Sequence, residues 1–67
     1  MSLIELDIMH LLADGKVHSA SEIGSYAGIG RERAIAWCDR LCREGKLERS
    51  VKEIFGICRV TAYRRLT

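Results

Sequence analysis

The chain has 67 residues, of which 48% are hydrophobic and 30% are charged, and its formal net charge is +2. This length predicts a single domain covering residues 1–67, close to the lower limit for folding around one core. The composition excludes an intrinsically disordered chain, and no apolar run is long enough for a transmembrane helix. The first residues lack the features of a secretory signal, and three cysteines without paired spacing favour a reducing cytoplasm.

The charge is unevenly distributed along the chain. Residues 1–30 contain one lysine and four acidic residues, whereas residues 31–67 contain ten basic and five acidic residues. This asymmetry favours a surface that faces a polyanion. A solvated basic face is the alternative, because the isoelectric point of 8.6 lies below the value of about 9 that marks strongly basic nucleic-acid binders.

The first predicted helix covers residues 4–14 and ends at Gly15, which suits the left-handed conformation after a helix. The segment KVHS then forms an extended link, with Val17 pointing inward. The apolar face of this helix has spacing of three and four residues and consists of Ile4, Ile8, Leu11 and Leu12.

The second predicted helix covers residues 20–27 and begins with a capping box. The Ser19 hydroxyl accepts a hydrogen bond from the Glu22 amide, while the Glu22 side chain reaches back to the start of the helix. Gly28 ends this helix.

The third predicted helix covers residues 31–44, with Gly30 as its N-cap and Gly45 after its end. Helical periodicity separates its side chains into two faces. The apolar face consists of Ala34, Trp37, Cys38 and Leu41, and the roughly opposite face consists of Glu32, Ala36, Asp39 and Arg43.

A β-hairpin is predicted over residues 47–65. Leu47 and Val51 bracket its first strand, and the segment ICRVTAYRRL is rich in the β-branched and aromatic residues typical of a second strand. The turn is placed near Glu53–Gly56.

This order of elements resembles the winged helix-turn-helix family, an α+β fold with three helices followed by a hairpin wing. Gly24 lies where the second helix needs a small residue for the third to cross closely, and Gly28 lies at the turn. The segment LCREGKLERS resembles the family's exit from the recognition helix into the wing. Ala34 is smaller than usual for its position. The five positions expected to be buried between the helices are Ile23, Ala27, Ile29, Ala34 and Trp37. Within the family, the chain is similar to small bacterial regulators of fimbrial operons.

The resemblance implies a transcriptional regulator that binds double-stranded DNA, with helix 31–44 in the major groove. Arg31 would donate to guanine and Glu32 would accept from cytosine, while Ile35 and Ala36 would contact a thymine methyl group. Phosphate contacts are implied for Arg33, Arg40 and Arg43 of this helix and for Ser19 and Ser21 at the start of the second helix. In the wing, Arg49, Lys52 and Arg59 would follow the DNA backbone or reach the adjacent minor groove. A homodimer or a partner regulator is expected, because one such module buries a modest interface.

Two alternatives to DNA binding remain open. The arginines of the third helix form a solvated face if they pair with acidic residues, for which Arg40 with Glu44 and Arg43 with Asp39 have suitable spacing. A protein–protein interaction module is the other alternative, with Ile35, Ile54 and Phe55 as its contact surface. Arg31 and Arg33 buried in intramolecular ion pairs would count against DNA binding.

No catalytic, metal or cofactor site is predicted. Cys38 and Cys42 lie one helical turn apart and Cys58 lies on the hairpin, but Cys38 is on the apolar face and no histidine has ligand spacing to them. His10 and His18 are expected to be surface or boundary residues. No paired-carboxylate cleft, Ser/His/Asp set or phosphate loop is present in the sequence, so an enzyme is not expected.

Two large apolar residues at the predicted wing tip, Ile54 and Phe55, are unusual. They either fold back on the domain, insert into a minor groove or form a dimer contact.

Overall fold

Three helices and a three-stranded antiparallel sheet make up the fold in the computed structural model, which describes residues 3–66. The predicted α+β winged helix architecture is confirmed. In chain order the elements are α1 (Leu3–Leu11), a 3₁₀ turn (Leu12–Asp14), β1 (His18–Ser19), α2 (Ala20–Ala27), α3 (Arg31–Arg43), β2 (Leu47–Ile54) and β3 (Cys58–Arg65).

The sheet has the strand order β1-β3-β2. The link before α2 is extended as predicted, but the prediction missed that His18 pairs with Tyr63 and thereby adds a short third strand. Two residues are too few to show the alternation by which a strand is recognised in a sequence.

The hairpin covers residues 47–65 as predicted, but its first strand is longer than predicted. Its register continues from Leu47 opposite Arg65 to Ile54 opposite Cys58, so β2 extends three residues beyond Val51. The predicted turn at Glu53–Gly56 therefore lies too early, and the loop consists of residues 55–57.

The turn between α2 and α3 depends on two glycines, as predicted. Gly28 has a φ of 71° and ends α2 in the left-handed conformation that glycine adopts most easily. A β-carbon on Gly24 would lie under 3.0 Å from the Gly30 carbonyl group and the Arg31 amide nitrogen. Only hydrogen in place of a side chain therefore allows the start of α3 to pass so close to α2.

The core lies between the three helices and the base of the hairpin. Of the five positions predicted to be buried, Ile23 and Ala34 are fully buried, while Ala27, Ile29 and Trp37 are half-buried. The cluster of buried residues consists of Ile8, Leu12, Ala20, Ile23, Ala34, Cys38, Leu41, Leu47 and Tyr63.

One buried hydroxyl joins the sheet to α3. The Tyr63 Oη donates to Asp39 Oδ1 at 2.7 Å, and burial followed by this hydrogen bond raises the pKa of Tyr63. Asp39 was predicted to lie opposite the apolar face of α3, and this was wrong in part. Its side chain is half-buried because it turns towards the sheet to accept this bond.

Replacing Tyr63 by phenylalanine is expected to lower the free energy of unfolding by about 1 kcal/mol, since one hydrogen bond is lost and Asp39 stays partly hydrated. Urea denaturation measures the difference. Tyr26, which is 50% exposed and has no hydrogen bond to another residue in 3–66, provides the matched control. Equal stabilities of the Tyr63→Phe and Tyr26→Phe variants would contradict a role for the Tyr63 hydroxyl.

Candidate nucleic-acid interface

The first turn of α3 carries exposed arginines on the side away from the core. Ala34 and Cys38 are fully buried beneath the helix, whereas Arg31, Glu32 and Arg33 are all exposed. Within residues 3–66, neither Arg31 nor Arg33 forms an ion pair, so the burial that would have counted against DNA binding is not observed. Their guanidinium groups are available to a ligand.

Further along α3, the exposed side chains differ in their surroundings. Ala36 and Arg43 are exposed, and the predicted pair between Arg43 and Asp39 does not form. Arg40 does pair as its spacing predicted, with its Nε 3.3 Å from a Glu44 carboxylate oxygen. Its guanidinium carbon also lies 5.6 Å from the centre of the Trp37 ring. Arg40 is therefore held in place, while Arg43 is not.

The three hairpin cations predicted to contact DNA each have an acidic neighbour. Arg49 lies 3.6 Å from Asp39, and Lys52 lies 3.9 Å from Glu22 at the start of α2. Arg59 lies 3.5 Å from Glu53 on the adjacent strand. All three pairs are long and solvated, and such pairs contribute little to stability. A phosphate group can therefore replace the carboxylate in each pair with little loss of folding stability.

At the start of α2, Ser19 acts as the N-cap and accepts a hydrogen bond from the Glu22 amide at 3.2 Å, as predicted. The predicted reciprocal bond from the Glu22 side chain was wrong, because that carboxylate contacts His18 instead. Ser19 is half-buried and Ser21 is exposed. Only the latter hydroxyl projects freely into solvent.

Ile35 faces the core more than was expected. It is half-buried and packs against the cluster beneath α3. Helical spacing places it on a shoulder of the helix, and the residues of the neighbouring elements cover part of it. A wide apolar contact surface centred on Ile35 is therefore not present on α3.

An ion-pair cluster was missed in the sequence. His18, expected to be a surface or boundary residue, is 9% exposed and lies between two carboxylates, with Nδ1 2.7 Å from Glu22 and Nε2 3.0 Å from Asp14. Because both ring nitrogens must donate to satisfy both acids, the geometry calls for the imidazolium form. His10 is exposed, as predicted.

The pKa values of this cluster follow from the same contacts. Burial is the largest influence and lowers the pKa of His18, but the hydrogen bonds and charges of Glu22 and Asp14 outweigh it and raise the pKa overall. A hydrogen bond from the Lys16 amide and another from His18 lower the pKa of Asp14. The cluster joins the end of the 3₁₀ turn, β1 and α2.

The wing tip does not fold back on the domain. Phe55 is 94% exposed and Ile57 is 86% exposed, while Ile54 is only partly covered. Phe55 has a φ of 56° and is the one non-glycine residue with a positive φ in the part of the chain that the structure describes. A bulky side chain is rarely found in this conformation.

The cysteines occupy different environments. Cys38 is buried in the core, and this burial raises the pKa of its thiol to about 12. Burial, followed by the charge of Asp39, also raises the pKa of Cys42. Cys58 is exposed on β3. Between residues 3 and 66, no three His, Cys, Asp or Glu side chains group in a way that could hold a metal ion.

No protein-family model matches the chain, and no curated protein matches its sequence. Two solved structures share its fold. The protein Stf76 from the Sulfolobus islandicus plasmid-virus pSSVx aligns over 100% of this chain and 84% of its own length, with a TM-score of 0.78 and 19% identity. A possible transcriptional regulator from Methanosarcina mazei Go1 aligns over 100% of this chain, with a TM-score of 0.76 and 13% identity.

The chain spans 57% of the length of the Methanosarcina protein. At these identities the likeness shows the fold alone, which consists of three helices followed by a hairpin wing. The narrower resemblance to fimbrial-operon regulators stays a prediction. No helix within residues 3–66 is long and apolar enough to cross a membrane.

Proposed function

We propose that the chain is a sequence-specific transcriptional regulator that binds double-stranded DNA, with α3 in the major groove. The observation that carries the proposal is the pair of exposed, unpaired arginines at the start of α3, Arg31 and Arg33. A recognition helix contacts base edges with its N-terminal residues, so these two side chains are at the right end of the helix. The name of the Methanosarcina protein, a possible transcriptional regulator, agrees with this assignment.

In this proposal the side chains of α3 have two roles. Arg31 donates to guanine O6 and N7, Glu32 accepts from cytosine N4, and Ala36 contacts a thymine methyl group. Ile35 is left with a minor part in base contact, since it is half-buried. Phosphate contacts fall to Arg33, Arg40 and Arg43.

The remaining phosphate contacts come from α2 and the hairpin. Ser21 and the N-terminal amides of α2 face one phosphate, with Ser19 fixing the start of the helix. Arg49, Lys52 and Arg59 exchange weak intramolecular pairs for phosphates. A single module buries on the order of 600–1,000 Å² of protein surface, so we expect a homodimer or a partner regulator on the full operator.

The proposal assigns no catalytic role and a cytoplasmic location. The buried His18 and its two carboxylate partners, Asp14 and Glu22, satisfy one another in an ion-pair cluster. An exposed thiol at Cys58 suits a reducing compartment. A protein–protein interaction module is the second candidate, and the exposed Phe55 is the observation in its favour.

The test measures affinity for a pool of random duplexes over a salt series. We expect affinity to fall steeply with salt, and Lys52→Ala to weaken all sequences alike and reduce the salt slope by about one. Arg31→Ala should cost about 1–3 kcal/mol and change which sequences are enriched. Lys16→Ala is the control, because Lys16 is exposed and is remote in sequence from α3 and the hairpin. This variant should leave the affinity and the set of enriched sequences unchanged. Absence of duplex binding even at low salt would favour the interaction module.

A further inference from the structure

The exposed apolar residues of the wing tip have no role in the phosphate and base contacts described above. Phe55 and Ile57 flank Gly56 in the three-residue loop, and both side chains are almost fully exposed. The conformation of Phe55 adds to the anomaly, because asparagine or glycine would adopt its φ of 56° with less strain. Backbone strain of this kind is often retained for function.

The tip is too small for a stable contact between proteins. Even with the partly exposed Val51 (60%) and Ile54 (37%), the hairpin offers on the order of 500 Å² of apolar surface. A stable protein–protein interface needs about 800 Å² from each partner. A wedge into DNA needs only one or two apolar side chains, which unstack a single base step.

The charges near the tip agree with a DNA occupant. Lys52 and Arg59 lie on the two strands that lead to the loop, and both are at least partly exposed. The carboxylate beside Arg59 belongs to Glu53 and lies at 3.5 Å in an exposed pair. These cations can contact the phosphates on either side of an inserted side chain.

The length of the hairpin suits the neighbouring groove. Arg49 lies beside Asp39 of α3, and the six residues from there to Phe55 span about 20 Å of strand. The centre of the adjacent minor groove lies about half a helical turn, roughly 17 Å, from the major groove that holds α3. The molecule is 37 Å in its longest dimension against 24 and 20 Å in the others.

We propose that Phe55 and Ile57 form an apolar wedge that inserts between base pairs of the minor groove next to α3 and kinks the duplex. This inference rests on the proposed DNA binding and adds a second source of sequence preference. Pyrimidine–purine steps unstack most easily, so a preference for such a step is expected about five base pairs from the centre of the α3 contacts.

The experiment uses the full chain and a duplex of about 30 base pairs that the parent protein recovers from a random pool. Fluorophores at the two ends report bending, and 2-aminopurine about five base pairs from the α3 contacts reports unstacking. The test variant is Phe55→Asn, because asparagine tolerates the left-handed conformation. The melting temperature of this variant should therefore not fall below that of the parent protein. We expect Phe55→Asn to lose the bending signal and the unstacking signal and to bind the duplex about tenfold more weakly. The control Leu3→Ser, which removes a 78% exposed apolar side chain on α1, should keep both signals and the affinity of the parent protein.

Three results would overturn the wedge. Retention of both signals by Phe55→Asn would show that the tip does not insert, although DNA binding by α3 would stand. If sedimentation shows that the free parent dimerises and that Phe55→Asn does not, with DNA distortion unchanged, the tip is a protein contact. If the parent recovers no duplex from the pool, the proposed function fails, and the wedge fails with it.

Discussion

Replacing Gly24 by alanine is expected to lower the free energy of unfolding by about 3 kcal/mol, the largest effect expected from adding a methyl group at any of the glycines. The added carbon would lie under 3.0 Å from backbone atoms of Gly30 and Arg31. Backbone atoms cannot rotate away as a flexible side chain can, so α3 would have to move away from α2. For a domain of this length, the loss is a large share of the total stability of about 3–10 kcal/mol.

Gly15→Ala separates this steric effect from backbone strain. Gly15 has a φ of 75°, and a β-carbon there would meet nothing within 4 Å. Only the left-handed conformation opposes the substitution, at a cost of about 1–2 kcal/mol. Urea denaturation of both variants measures the difference. Equal losses would contradict the close crossing of α2 and α3, and with it the placement of α3.

Replacing His18 by glutamine is expected to cost about 2 kcal/mol near pH 6, because a charged donor to two carboxylates is lost from a buried position. Glutamine can donate to only one of Asp14 and Glu22, and it brings no charge. His10→Gln makes the same substitution at an exposed position of α1 and should change stability little. Denaturation of the three proteins at one pH measures the effect.

The same contacts make the stability contribution of His18 depend on pH. The pKa of His18 is raised in the folded state, so its contribution is complete below the unfolded-state pKa and is lost as the pH rises through the folded-state value. The pKa of Asp14 is lowered, so its contribution is lost as the pH falls through that lower value. The difference between parent and His18→Gln should therefore shrink above neutral pH. A difference that is constant from pH 6 to pH 9 would mean that folding does not raise the pKa of His18.

Much of the fold could be predicted because its turns depend on residue types with few alternatives. The glycines after the helices, the capping serine and the apolar spacing of α1 and α3 each agree with the same winged helix architecture. Gly24 illustrates this best, since a small residue at that position of α2 is required by the close passage of α3 and is confirmed by the structure. The exposed face of α3 followed directly from its buried face.

The ion-pair cluster could not be predicted from the sequence in the same way. Asp14, His18 and Glu22 are four residues apart, which is the spacing of neighbours on a helix, but they lie in the 3₁₀ turn, β1 and α2. No single helical face joins them, so helical periodicity does not predict their contact. The signal for this cluster in the sequence is one acidic residue four positions before His18 and another four positions after it.

The wing was predicted in kind but not in detail. Its apolar tip was identified, but whether Phe55 folds back depends on the length of the hairpin, and the strand was taken to be shorter than it is. Pairing up to Ile54 carries the loop away from the core and leaves Phe55 in solvent. Tertiary pairing of this kind leaves little trace in local composition.

Contact of α3 and the hairpin with DNA is tested by an NMR titration of the labelled protein with a short duplex at low salt. We expect the largest amide shift changes on the first two turns of α3, from Arg31 onward, and on the hairpin around Gly56. The exposed face of α1, at Leu3 and Leu6, should remain unchanged. Shift changes confined to α1, or none at all, would show that α3 and the hairpin do not contact DNA.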